Sequence, residues 1–136
     1  MRDDNCIFCK LANGIIPTNS IYEDENFNVI LDMSPATKGH ALILPKDHYK
    51  NLYELPEDTA AEVMKLAKKM AVKMTERLGA DGFNLVQNNN EIAGQTVFHF
   101  HMHLIPRYEN DGQKIAWNPT SPTAEELAEI KEVLTR

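Results

Sequence analysis

The stretch VFHFHMHLIPR, residues 97–107, puts three of the chain's five histidines on alternate positions with large apolar residues between them. In a strand successive side chains point to opposite faces. A strand over His99–Ile105, ended by Pro106, would set His99, His101 and His103 on one face. Phe98, Phe100, Met102 and Leu104 would share the other. The apolar set would pack on a core, and the imidazoles would line a wall open to a ligand. One metal ion cannot hold all three rings. A two-residue step is about 6.6 Å, so the outer pair stands roughly 13 Å apart. Zinc–nitrogen bonds are only ~2.0–2.1 Å. The three histidines must therefore divide their roles.

The rest of the sequence reads as one α+β domain over residues 1–136. Residues 6–13 suggest a short helix closed by Gly14, with Pro17 forbidding continuation. Ser20–Glu23 and Asn28–Asp32 read as strands around a turn, and His40–Leu44 as a third strand stopped by Pro45. Pro56 suits a first helical position. From it Ala60, Val63, Met64, Ala67, Met70, Ala71, Met74 and Leu78 recur at helical spacing to a stop at Gly79, a helix of about six turns. Phe83–Gln87 makes a fourth strand. Ser121-Pro122, or Thr123 with Glu126 as a capping box, starts a last helix with Leu127, Ile130 and Leu134 on one face. Strands, helix, strands, helix indicate a mostly antiparallel sheet, not a doubly wound one.

A hydrophobic content of 43% is ordinary for a globular protein, and the net charge of −6 argues against nucleic acid or an anionic membrane as the main partner. A small nucleotide remains compatible, since one phosphate needs only a few local donors. The N-terminus carries no apolar secretory core and no run suits a membrane helix, so a cytoplasmic protein is expected. Cys6 and Cys9 form C-x-x-C, for which metal ligation, redox chemistry and plain burial compete. No strand precedes position 6, which disfavours a thioredoxin-like dithiol.

His99-Phe100-His101-Met102-His103-Leu104-Ile105 fills every place of the pattern His-φ-His-φ-His-φ-φ, φ being hydrophobic. Here the sequence resembles the histidine triad (HIT) nucleotide hydrolases and transferases, in particular the Hint-like branch common in bacteria. The resemblance runs through IFCKLANGIIP, YEDENFNVILDMSP, GHALILPKDH and NNNEIAGQTVF. It covers residues 5–107 and fades over the tail, 108–136. It implies a HIT-like fold of about five antiparallel strands with a long central helix and a C-terminal helix, paired as a homodimer.

The resemblance also implies the chemistry. His101 would attack the α-phosphorus of a purine nucleoside phosphoramidate or a related AMP or GMP conjugate, and water would open the nucleotidyl-histidine. A neutral imidazole is a competent nucleophile at pH 7. Its other ring nitrogen would donate to the backbone carbonyl of His99. His103 would touch the phosphate and the bridging atom, and His40 would support the triad from behind. Gln95 and Thr96 would donate to phosphoryl oxygens from a loop that Gly94 lets approach closely, acting as an oxyanion hole does. Asn88 would make a phosphate- or ribose-side contact. Asp32 would accept from the ribose hydroxyls, although an aspartate capping the following turn gives the same pattern. Phe8, Ile30 and Met33 would wall the nucleoside, or simply pack. Some relatives carry zinc on C-x-x-C, a downstream histidine and the first triad histidine, which here are Cys6, Cys9, His48 and His99. Such a metal would be structural, and catalysis would need no cofactor. The rival readings are a dinucleoside polyphosphate hydrolase, a purine-nucleotide-binding module without turnover, and a hydrolase that uses a catalytic metal on a His-x-His pair.

Overall fold

Short aliphatic segments bounded by Gly, Pro, Asp and Asn pair into one sheet, and the pairing decides where the histidines fall. The computed structural model describes all of residues 1–136. Its elements are α1 (Ile7–Ala12), β1 (Ser20–Glu23), β2 (Phe27–Leu31), β3 (Ala41–Pro45), α2 (Glu57–Leu78), β4 (Gly82–Val86), β5 (Met102–Arg107) and α3 (Ala124–Leu134), with a 3-10 turn at Glu91–Ala93. The five strands lie in the order β1-β2-β3-β5-β4, and every neighbouring pair is antiparallel. This is the α+β arrangement the sequence suggests.

The central strand β3 is buried along its whole length. Its alternate residues feed two cores. Ala41 and Ile43 join Val29, Leu104 and Phe100 beneath α2, which contributes Val63, Leu66, Ala67, Met70 and Met74. Leu42 and Leu44 join Ile30 and Ala12 on the other face, where Phe8 and Leu11 of α1 pack. One face of the sheet thus belongs to the long helix, and the other to α1 and the site. The helix face differs from the expected set at Met64, which is half-exposed, whereas Leu66 is buried. Pro56 is the N-cap, one residue outside the helix, and Gly79 ends it in the left-handed conformation at φ 67°.

The expected strand at His99–Ile105 requires correction. The β3–β5 ladder starts at the pair Ile43↔Met102, and β5 continues through Pro106 to Arg107. The Phe100 amide donates to the carbonyl of Tyr49 at 2.7 Å, which draws the chain away from the sheet before the strand begins. Faces still alternate from Phe100 to Leu104, with Phe100, Met102 and Leu104 toward α2. Phe98 does not follow. It is 43% exposed and lies under Lys50, whose Nζ is 5.5 Å from the ring centroid. The last helix has the expected capping box, Thr123 Oγ1 accepting from the Glu126 amide at 3.1 Å and Glu126 bonding back to the Thr123 amide. None of its residues is buried, so its apolar face is open in the single chain. No helix is long and apolar enough to cross a membrane.

Candidate active site

His101 and His103 line a cavity of about 620 Å³ between α1, β2, β3 and the loop before the histidine segment. Their rings are 5.0 Å apart. Phe8 meets His101 edge-on at 4.9 Å, and Ile30, Leu42, Asp32, Met33, Asn88, Gly94 and Thr96 complete most of the wall. Met33 is 87% exposed, so it stands at the rim rather than forming a packed wall. Leu11, Ile16 and Val97 also line the cavity, and no residue pattern singles them out.

Ring tautomers follow from the partners. His101 Nδ1 lies 2.7 Å from the carbonyl oxygen of His99, which can only accept. The proton therefore sits on Nδ1, and Nε2 keeps a bare lone pair. His40 is fixed the other way. The Ala36 amide donates to its Nδ1 at 2.9 Å, so its proton sits on Nε2. That nitrogen is 2.9 Å from His103 Nδ1 and 3.5 Å from Asp32 Oδ2. His103 Nδ1 accepts, and its own proton is left on Nε2. Burial holds the His101 and His40 rings below the ordinary histidine pKa of 6.5, against the His99 carbonyl and Asp32 respectively. Burial, with the neighbouring His101 and His40, pushes His103 down to about 4.

The loop before the triad carries one correction. Gln95 is buried, and its side-chain amide is fully used: Nε2 donates to the carbonyls of Lys50 and Val97, and Oε1 accepts from the Asn90 amide. It has no hydrogen left for a phosphoryl oxygen and instead holds the loop's shape. Thr96 lies exposed on the cavity wall, and Asn88 lines it too. Gly94 adopts φ +102°, which disfavours any side chain, while the space beside it would admit a Cβ in ordinary contact with Asn88 Nδ2 at 3.5 Å, so the backbone and not the space calls for glycine. Asp32 caps the turn that follows it and also lines the cavity. Its Oδ1 accepts from the Ser34 amide at 2.8 Å, while the carboxylate also faces the cavity.

The second cluster lies behind the triad. Cys6, Cys9, His48 and His99 bring their ligand atoms within 4.8 Å of one another. His99 Nδ1 is 3.4 Å from Cys6 Sγ and 3.3 Å from Cys9 Sγ, and His48 Nδ1 is 3.4 Å from Cys9 Sγ. Tetrahedral bonds of the lengths usual for sulfur and nitrogen need separations of about 3.3–3.8 Å. His99 Nε2 donates to the Pro45 carbonyl at 2.9 Å, which aims a bare Nδ1 at the thiols, as a ligating histidine is usually held. The donor set fits a divalent cation. Without one, burial raises the Cys9 thiol to about 11 and lowers His99 to about 4. Asp32, His40 and His103 also converge, but they suit a metal poorly. The Ala36 amide keeps His40 Nε2 protonated, so ligation there would require an imidazolate.

An antiparallel sheet backed by one long helix, with a backbone-oriented imidazole on its open face, defines a histidine-triad type of protein. The chain belongs to the HIT family, whose HIT domain model matches residues 13–110. It is 36% identical over 132 residues to a Schizosaccharomyces pombe protein named adenosine 5'-monophosphoramidase, covering 96% of each chain. The crystal structure of a HIT family protein from Bacillus anthracis superposes with a TM-score of 0.88 at 44% identity, covering 96% of this chain and 95% of that one. A Zn-bound histidine triad protein from Mycobacterium smegmatis superposes at 0.76 with 36% identity, covering 95% and 97%.

Proposed function

We propose that this chain hydrolyses purine nucleoside phosphoramidates, or related AMP and GMP conjugates, through a covalent nucleotidyl-histidine at His101. The observation that carries the reading is the 2.7 Å contact from His101 Nδ1 to the His99 carbonyl, which leaves Nε2 unprotonated beside the cavity. Mere binding of a nucleotide needs no such lone pair. Nε2 forms a bond to the α-phosphorus as the bond to the leaving nitrogen breaks. The amine departs with a solvent proton, and the His99 carbonyl stabilises the Nδ1–H of the substituted ring. Water then attacks phosphorus, its proton returns to solvent, and the neutral imidazole and AMP are released. His103 offers Nε2–H to the bridging atom. Thr96 and Asn88 serve phosphoryl oxygens, and Asp32 serves the ribose. The relative named adenosine 5'-monophosphoramidase supports adenosine as the nucleoside.

Cys6, Cys9, His48 and His99 would hold a structural zinc, whose contribution is to tie α1 to the catalytic segment. The Zn-bound relative supports this assignment. A homodimer is supported by the unpaired outer edge of β4, with half-exposed Leu85, and by the open apolar face of α3. Incubation with adenosine 5'-phosphoramidate should release AMP steadily, and His101→Asn should abolish release and the adenylated species seen by intact-protein mass spectrometry. Turnover that survives His101→Asn would overturn the reading. Tight AMP binding with no turnover would favour a binding module.

A further inference from the structure

The tail beyond the catalytic strand is built into the histidine relay. Arg107 and Asp111 form a bidentate pair at 2.8 and 3.1 Å, which folds residues 107–113 into a strap. Within it the Gln113 backbone is clamped from both sides. Its carbonyl accepts from Arg107 Nη2 at 2.7 Å, and its amide donates to Asp111 Oδ1 at 2.9 Å. The Gln113 side chain is thereby aimed at the loop between β2 and β3, where Nε2 donates to the Ala36 carbonyl at 2.9 Å. Tyr108 adds a second tie, its hydroxyl donating to the Lys38 carbonyl at 2.7 Å. Ala36 is the residue whose amide fixes the His40 tautomer, and His40 in turn fixes His103.

We propose that Gln113 is a positioning residue for the reaction: through Ala36 and His40 it keeps the His103 proton on Nε2, ready to donate to the atom that leaves. This rests on the phosphoramidate reading above. Gln113 lies beyond residue 110, where the HIT domain match ends. Proton location on His103 depends on the Ala36 amide staying on His40 Nδ1. If that amide swings away, His40 can carry its proton on either nitrogen, and a His40 Nε2 lone pair no longer forces His103 Nδ1 to accept. The donor facing the substrate is then lost for part of the time. No proton leaves the pair in this step; the contribution is a hydrogen bond. It matters most when the departing atom is basic, and little when the leaving group is already stable as an anion.

The test compares two substrates on the intact protein: an adenosine 5'-phosphoramidate of an alkylamine, and the p-nitrophenyl ester of AMP. Gln113 is exposed, so Gln113→Ala should fold with an unchanged melting temperature. It should lower kcat on the alkylamine substrate about five- to tenfold, the worth of one net hydrogen bond, with KM within about twofold. The p-nitrophenyl ester should be affected less than about twofold. Gln113→Lys, which keeps a donor, should restore most of the loss. ¹⁵N NMR of labelled histidine should show the Nε2–H forms of His40 and His103 in the parent chain and a tautomer mixture in Gln113→Ala. Unchanged tautomers in the variant, or equal slowing of both substrates, would overturn the proposal. If the parent chain releases AMP from neither substrate, the functional reading fails, and the NMR comparison still decides the positioning.

Discussion

At His101 a single main-chain oxygen determines which nitrogen keeps its lone pair, and burial holds the ring neutral to a lower pH than usual. Its pKa lies below 6.5, so the acid limb of kcat/KM should fall below that value, not at it. A limb centred above pH 7 would contradict the burial of the ring. His103 makes the matching prediction for stability. Its folded value is about 4 against an ordinary 6.5, so the unfolded chain binds the extra proton first. Its contribution is complete above pH 6.5 and is lost as pH falls toward 4, up to about 3 kcal/mol. Urea melts at pH 7 and pH 5 should diverge less in His103→Asn than in the parent chain. That His101 and His103 share one wall was legible from spacing, whereas the expectation that His99 joins them fails: its buried ring turns to the cysteines instead of the cavity. The fate of Gln95 was not legible. Its partners Lys50 and Asn90 come from two different loops, and no local pattern reports that their backbone groups need its amide.

Among the elements, α1 has most to lose. Six residues cannot sustain a helix alone. Cys6 caps it, its sulfur accepting from the Cys9 amide at 3.3 Å, while Phe8 and Leu11 pack on the second core. The proposed zinc would thus act on the pocket through Phe8, which touches His101 from the same turn. Chelation, or Cys9→Ser, is expected to lower the melting temperature by several degrees and to raise KM more than it lowers kcat. Elemental analysis should find about one zinc per parent chain, and its absence in a fully stable protein would refute the metal assignment. The boundaries of α1 were readable from Gly14 and Pro17, which stop a helix by backbone chemistry. The start of β5 was not. It depends on Tyr49, fifty residues upstream, taking the Phe100 amide, and no periodicity encodes a diversion made by a distant carbonyl.

For the whole molecule, the sheet order and both cores follow from alternation and helical spacing, but the apolar stripe of α3 is left open in the single chain. Leu127, Ile130 and Leu134 form the expected stripe, yet all three are more than half exposed. If the proposed homodimer covers them, Leu127→Glu with Ile130→Glu should convert the dimer to a folded monomer in light scattering. A parent chain that is already monomeric would remove the basis for that pairing. His99 serves two neighbourhoods at once. Its ring faces the sulfurs, while the His101 ring is oriented by its peptide oxygen, an atom every amino acid possesses. The orientation of His101 is therefore indifferent to which side chain stands at 99, and a change there acts on the cysteine cluster and the packing around it instead.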